Sequence, residues 1–230
     1  MNYYQIDRTA EAKIIGIKNG TSQVELDENS IEKNDKYLDF EKHFNGFKKD
    51  FWHKQSDIFS LNTPILKGKL RKGAKITDIM RYGPTYQYLF KMYSKKYVDI
   101  IKTFHLGNFK TFEFKIEDIN EMYYLLFIES VTLDEIIYDK STIISGHKIM
   151  KNVKYHIIKN SIEYIEFNSQ FPTGGFEKLT IPKKYSERDI IQTQASSLPF
   201  YSERLIDFLL DCNITGLQIG YKNSIQLEFD

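Results

Sequence analysis

One short phrase occurs twice in the chain, and it restricts the fold more than any other feature. Residues 92–104 read MYSKKYVDIIKTF, and residues 200–212 read FYSERLIDFLLDC. In each copy a serine precedes apolar residues at helical spacing, and serine is a favoured N-cap because its hydroxyl accepts a backbone N–H bond. Each copy then runs into a stretch with strand character. The phrase therefore predicts two capped helices, near 94–105 and 202–212, each followed by a strand.

Most of the remaining chain favours β-strands. The run MYYLLFIESV at 122–131 is continuously apolar and aromatic, which is typical of a central strand. The stretch VKYHIIKNSIEYIEFN at 153–168 reads as two strands joined at residues 159–161. We therefore expect an α+β fold with a mixed or antiparallel sheet, more strand than helix, and an internal helix–strand pseudo-repeat.

A change in composition suggests how the chain is organised. Residues 1–75 combine strands with an aromatic, lysine-rich segment, whereas residues 76–230 are more regular and contain both copies of the phrase. We expect an N-terminal part up to residue 75, followed by an α+β domain over 76–230, the two forming one compact whole.

Charge and cysteine content limit the classes of function. The formal net charge of the 230-residue chain is +1, so no overall attraction to nucleic acid or to an anionic membrane is expected. A single cysteine, Cys212, excludes an intrachain disulfide and a cysteine-based zinc site, and it lies on the predicted apolar face of the second helix. No signal-peptide pattern or membrane-spanning apolar run is found, which predicts a cytoplasmic protein.

The aromatic and lysine-rich segment at 40–54, FEKHFNGFKKDFWHK, permits three interpretations. Its phenylalanines fall at helical spacing, so the simplest is a buried helix stripe. The second is a surface that stacks single-stranded bases while lysines hold phosphates. The third is a protein contact made by Phe51 and Trp52, because tryptophan is enriched at interface hot spots. The stripe consists of Tyr37, Phe40, Phe44, Phe47 and Phe51; the base-stacking surface would use Phe47, Phe51 and Trp52.

Histidines supply the only candidate for enzyme chemistry. His43 and His53 have several carboxylates nearby in the sequence, which is compatible with a metal or acid–base site. A solvated polar face explains the same residues, and no nucleophile, phosphate-loop or dinucleotide motif accompanies them. An enzyme with a His/carboxylate site is thus an alternative, and no cofactor is predicted. The acidic neighbours are Asp39, Glu41, Asp50 and Asp57.

Several phrases follow one another in a fixed order along the chain. They run from KITDIM (75–80) to MYYLLFIESVTLDEIIYDKS (122–141) and continue from EKLTIP (177–182) to the end of the second copy. The most specific parts are Ser202-Glu203-Arg204-Leu205 and Thr215-Gly216, supported by Thr77-Asp78, Tyr123-Tyr124 and Ser94. This series resembles an immunity-protein family of bacterial polymorphic toxin systems, a former domain of unknown function with a myxobacterial founding member. The series covers residues 75–230 and, before them, only the early YYQI.

The resemblance implies a function that needs no catalytic residue or cofactor. Such immunity proteins bind a cognate toxin domain and block it. The repeated helix would then belong to the scaffold, and specificity would lie in loops and in the more individual first third of the chain. We expect a cytoplasmic toxin-neutralising protein whose partner is a protein, with Phe51 and Trp52 as candidate partner-binding residues.

Overall fold

The computed structural model describes residues 2–18, 22–31, 33–45, 51–147, 150–221 and 224–230. It confirms the α+β class, since 33% of the chain lies in strands and 28% in helices. Sheets are mixed or antiparallel, also as predicted. Among the described residues, no helix has both the length and the apolar character needed to cross a membrane.

The elements are numbered in chain order. The α-helices are α1 (Ala12–Ile15), α2 (Asp35–Phe44), α3 (Lys95–Ile101), α4 (Ser161–Gln170) and α5 (Glu203–Asp211). The strands are β1 (Tyr3–Arg8), β2 (Val24–Leu26), β3 (Leu66–Leu70), β4 (Ile79–Met80), β5 (Tyr82–Gly83), β6 (Met92–Ser94), β7 (Phe109–Ile116), β8 (Met122–Ile128), β9 (Thr142–Ser145), β10 (Lys154–His156), β11 (Gly175–Ile181), β12 (Ile190–Thr193), β13 (Ser196–Ser202), β14 (Leu217–Ile219) and β15 (Gln226–Phe229).

The chain divides into two compact units that each contain distant parts of the sequence. Unit 1 comprises Met1–Ile6, Ser130–Glu203 and Ile219–Asp230. Unit 2 comprises Asp7–Glu129 and Arg204–Gln218. This division differs from the predicted boundary at residue 75. Composition did not reveal it because each unit is completed by long-range pairing.

Unit 2 is built on a seven-stranded sheet of order β4-β6-β8-β7-β3-β2-β5. The run at 122–131 forms β8, which lies inside this sheet and pairs antiparallel with both β6 and β7. Helix α2 contributes Phe40 and Phe44, both fully buried, and their rings lie 5.3 and 5.4 Å from that of Phe112 on β7. Edge-to-face aromatic packing of this kind stabilises a core beyond the area that it buries.

Unit 1 contains a four-stranded sheet of order β10-β9-β11-β15, in which β11 pairs antiparallel with β9 and parallel with β15. Its core includes Ile143, Leu179 and Phe200, and α4 adds Tyr164 and Phe167. A second sheet has the order β12-β13-β1-β14, and the chain passes between the units through β1 and β14.

The repeated phrase forms the same substructure twice. In the first copy β4 pairs antiparallel with β6, with Ile79 opposite Tyr93; in the second β12 pairs with β13, with Ile190 opposite Tyr201. In each copy a helix follows: α3 between β6 and β7, and α5 between β13 and β14. In each sheet one other strand separates the strand before the helix from the strand after it, as the orders β4-β6-β8-β7 and β12-β13-β1-β14 show. The predicted pseudo-repeat therefore includes a preceding strand in each copy as well as the helix and the strand after it.

The same side-chain pair closes each copy. The hydroxyl of Ser94 donates to Oδ1 of Asp78 over 2.7 Å, and that of Ser202 donates to Oδ1 of Asp189 over 2.6 Å. The backbone N–H of each serine also donates to the carbonyl oxygen of the same aspartate, at 2.8 and 2.9 Å. Ser94 additionally accepts from the N–H of Tyr97, which confirms its N-cap role. Ser202 immediately precedes α5, where the second helix was expected to start.

Two local expectations were wrong. The second half of 153–168 is α4, not a strand, because Asn160 caps it by accepting from the N–H of Glu163. In α5 the predicted apolar face is only partly buried: Leu205, Ile206 and Leu209 are buried, whereas Phe208 is 45% exposed. Cys212, which was expected in the core, is half-buried.

Candidate functional site

Part of the family resemblance comes together in unit 2 around Asp78, namely Thr77, Ser94, Tyr123, Thr215 and Gly216. Ser202, from the closest-matching phrase, instead pairs with Asp189 in unit 1. Oδ2 of Asp78 accepts from the N–H and the hydroxyl of Thr215, at 2.8 and 2.7 Å, while Oδ1 accepts from Ser94. The hydroxyl of Tyr123 donates to the carbonyl oxygen of Thr77. Gly216 has a φ of +85°, and a Cβ there would lie 2.4 Å from the carbonyl oxygen of Ile79. These motif residues therefore hold the polypeptide together.

Phe51 is buried, which corrects the expectation that it is partly exposed. It is 5% exposed, and its ring stacks on that of Tyr88 at 3.8 Å. Trp52 is half-buried and packs edge-on against the same two rings, at 5.2 and 4.7 Å. Phe51 thus supports the core, and a role for Trp52 in partner binding stays a prediction.

The buried helix stripe predicted in segment 40–54 is confirmed for Phe40 and Phe44 on α2. Phe51 is buried too, but it lies in a separate 3-10 turn, Phe51–His53, and not on that helix. Phe47 lies outside the described residues. Because Phe51 already stacks within the core, its ring is not available to stack a nucleic-acid base.

The histidine pair is not gathered into one pocket. An open pocket of about 380 Å³ in unit 2 brings His43 together with Asp39 and Asp57, but His53 does not line it. Nδ1 of His43 lies 2.8 Å from the backbone carbonyl oxygen of Asp39 and so donates to it. Asp50 lies outside the described residues. In the part of the chain that the structure describes, no group of three or more His, Cys, Asp or Glu side chains is placed to hold a metal ion.

A different surface stands out in unit 1, where large apolar side chains are exposed over a short stretch. On and just after β10, Tyr155 is 68% and Ile157 is 89% exposed. On α4, Ile162 and Ile165 are 69% and 58% exposed, and their i,i+3 spacing places them on one helix face. We call these four residues the β10–α4 surface. Clustered exposed apolar side chains are typical of a surface that contacts another macromolecule.

The two faces of α4 show why these side chains are exposed. Tyr164 and Phe167 face inward, and both rings pack beside other aromatic rings of the unit 1 core. The inward face is therefore already filled by aromatic residues. The isoleucines on the other face are largely exposed, and they lie next in the sequence to Glu163 and Glu166.

A pocket of about 790 Å³ adjoins the β10–α4 surface and shares Ile157 with it. One wall is the segment 134–139 and another is 156–159. His156 lies in the second wall and is fixed there, because its Nε2 is 2.7 Å from the hydroxyl oxygen of Ser145 and its ring packs beside Phe167 and Phe171. The surface thus rests on well-packed elements.

Glu135, in the pocket wall, is a carboxylate held by several hydrogen-bond donors. Burial alone would raise its pKa, but hydrogen bonds from Tyr185 (2.6 Å), Lys184 (2.9 Å) and the N–H of Thr132 (3.1 Å) outweigh burial and lower the pKa to about 2. Its ordinary value is 4.5. Since the folded-state pKa is the lower one, the charged form stabilises the fold above about pH 4.5, and this contribution is lost as the pH falls toward 2.

We therefore expect Glu135→Gln to lower the free energy of unfolding by about 1–2 kcal/mol at pH 7, a range reduced for the partial exposure of the pair. The difference from the unmodified protein should shrink as the pH falls from 4.5 to 2. Urea unfolding followed by circular dichroism at pH 7, 4 and 2.5 measures it. A difference that is constant over this range would show that the carboxylate charge contributes nothing.

One sequence signal could have located the β10–α4 surface. From Lys140 to Ile162 the chain contains no aspartate or glutamate, although its overall charges nearly balance. A stretch of this length without an acidic residue stands out in a chain that contains 31 of them. The lysines within it are Lys140, Lys148, Lys151, Lys154 and Lys159.

Comparison with known proteins adds no identification. No protein-family model matches the chain, and the search of curated proteins finds no match.

Proposed function

We propose that this protein is an immunity-type binding protein that attaches to a cognate toxin domain through the β10–α4 surface and neutralises it. The observation that carries the proposal is the exposure of Tyr155, Ile157, Ile162 and Ile165, between 58% and 89%, on and just after β10 and on α4, which is the next helix along the chain in unit 1. Fully burying one such isoleucine side chain contributes about 1.5–3 kcal/mol. Three isoleucines and a tyrosine can thus form the apolar centre of a protein interface.

The position of this surface in the sequence supports the same function. The phrases that resemble the immunity family end at residue 141 and resume at residue 177, so residues 142–176 lie between matched phrases. The matched residues around Asp78 hold the scaffold. In a family whose members each bind a different toxin, recognition belongs on surface segments outside the shared scaffold.

The test is growth rescue by this protein in cells that express the toxin-like domain encoded beside its gene. We expect the unmodified protein to restore growth and to co-purify with the toxin, in a complex that buries more than about 1,000 Å². Absence of both rescue and a complex with that domain would contradict the proposal.

A matched pair of variants tests the surface. Ile157→Asp introduces a charge at a side chain that is 89% exposed, so it should leave folding intact and weaken the complex by about 100-fold, or 2.7 kcal/mol. Ile76→Asp makes the same change at an isoleucine of unit 2 that is 45% exposed, and its affinity should equal that of the unmodified protein. Calorimetry with purified toxin measures both. Equal affinities of the two variants would remove the β10–α4 surface from the interface.

A further inference from the structure

Strand β10 ends its sheet. In the order β10-β9-β11-β15, one side of β10 pairs antiparallel with β9, with Tyr155 opposite Ile144. Among the described strands, none pairs with its other side. The backbone groups along such an edge are a template for a further strand, and proteins limit unwanted pairing there with short strands, lysine, proline or inward-pointing charge. β10 is three residues long and carries the exposed Lys154 but no proline, so its protection is directed against basic strands.

The side chains at this edge suit a strand partner. Tyr155 and Ile157 are two residues apart, so in an extended chain they point to the same face, and both are largely exposed. An added strand would align its own alternate side chains with them. Ile157 also lines the adjoining pocket, which offers space beside the end of the strand.

The charge around β10 specifies the partner further. Lys151, Lys154 and Lys159 are exposed, and no acidic residue lies between Lys140 and Ile162. Opposite charges on directly facing strand positions stabilise pairing, and like charges oppose it. A second copy of this chain is disfavoured, because antiparallel self-pairing centred on Tyr155 would place Lys151 opposite Lys159. An acidic strand would meet lysines along β10 instead of like charges, while the carboxylates of Asp134 and Asp139 lie in the adjoining pocket.

We infer that β10 binds an extended, acidic segment of the toxin domain as an added strand. The inference rests on the proposed function and states how the partner is recognised: main-chain hydrogen bonds to β10 provide attachment, and Tyr155, Ile157 and the lysines select the sequence. An anionic membrane or a nucleic acid could use the lysines, but neither of them supplies a backbone that pairs with the open edge of β10.

The test is amide hydrogen exchange and NMR on the complex with the purified toxin domain. We expect exchange of the amides in Lys154–His156 to slow by at least about tenfold on binding, with main-chain NOEs between β10 and the toxin. If the complex forms but β10 shows neither slowed amide exchange nor main-chain NOEs to the toxin, strand addition is wrong while the proposed function stands. If the unmodified protein forms no complex with the toxin domain, the proposed function fails and this inference fails with it.

Charge reversal tests the acidic character of the segment. Lys151→Glu/Lys154→Glu should weaken the complex by about 10- to 100-fold, and most of the loss should disappear at 0.5 M salt. Lys36→Glu/Lys102→Glu makes the same change in net charge at exposed lysines of unit 2 and should leave the affinity unchanged. Equal losses in the two double variants would overturn the acidic assignment.

Competition decides between kinds of occupant. Phosphatidylserine-containing vesicles or a single-stranded oligonucleotide that displace the toxin from β10 would overturn the assignment to a polypeptide strand. So would a β10-dependent dimer of this chain seen by sedimentation in the absence of toxin. We expect that the vesicles, the oligonucleotide and a second copy of this chain all fail to bind at β10. In the toxin complex, by contrast, amide exchange in β10 should be slowed.

Discussion

Replacing Phe44 with alanine is expected to lower the free energy of unfolding of unit 2 by about 3–5 kcal/mol. Phe44 is fully buried, and its ring lies 4.9 Å from that of Phe40, 5.4 Å from Phe112 and 6.1 Å from Phe127. These rings come from a helix and two strands, so a cavity at Phe44 cannot be filled by a small local movement. A typical domain has only about 5–15 kcal/mol of stability, so the change is a large part of the total.

The chain provides its own reporter for this measurement. Trp52 is the single tryptophan and packs against the same core cluster of unit 2. Its fluorescence during urea unfolding therefore follows unit 2, which matters because a chain with two units need not unfold in one step. Phe208→Ala is the matched control: Phe208 is 45% exposed, and its removal should cost less than about 1.5 kcal/mol. Similar losses for the two alanine variants would show that the aromatic cluster is not the centre of the core.

Features that depend on neighbouring residues could be predicted from the sequence. The helix start at Ser94 is set by a hydroxyl that bonds within one turn, and the alternation in FKTFEFKI produced β7 as expected. The α+β class followed from the same local patterns. The pairing of Ser94 with Asp78, and of Ser202 with Asp189, could have been suspected because both aspartates precede isoleucine at the start of each copy.

The stretch at 153–168 shows where local patterns mislead. Ile162, Tyr164 and Phe167 fit a strand because aromatic and β-branched residues favour sheets. The same stretch also carries Asn160 followed three residues later by Glu163, a helix-start signature, and the structure follows this signal. In the helix Tyr164 and Phe167, three residues apart, lie on one face, and that face is buried. The periodicity alone was ambiguous, and the cap resolves it.

The candidate site depends on long-range strand order, so the exposure of its individual residues was not predictable from local patterns. Phe51 and Trp52 were chosen as exposed, yet Tyr88 covers Phe51 from a distant part of the chain. Conversely, Tyr155 and Ile157 resemble ordinary strand residues. Their exposure follows from β10 being last in its sheet, which is a property of strand order. Only the absence of acidic residues between Lys140 and Ile162 hinted at an unusual surface.

Asp78→Ala is expected to lower the free energy of unfolding of unit 2 by about 2–3 kcal/mol. The carboxylate of Asp78 accepts from Ser94 and twice from Thr215, and hydrogen bonds to a charged group contribute about 1.5–3 kcal/mol each, although not additively. Its loss leaves the N–H of Thr215 without its carboxylate acceptor and releases a link between segments 137 residues apart. Urea unfolding followed by Trp52 fluorescence measures the change.

Two further aspartate variants decide what the repeated phrase contributes. Asp99→Ala removes a carboxylate whose partner is the exposed Lys95 four residues earlier, so it should cost no more than about 0.5 kcal/mol. Asp189→Ala removes the equivalent of Asp78 from unit 1, where the carboxylate is fully buried and accepts from Ser202. If the two copies are equivalent, hydrogen exchange should show destabilisation of unit 1 by an amount similar to that in unit 2. If Asp189→Ala lowers the free energy of unfolding as little as Asp99→Ala does, the serine–aspartate pair stabilises unit 2 but not unit 1. The phrase would then recur in sequence and in strand order without the same contribution to stability.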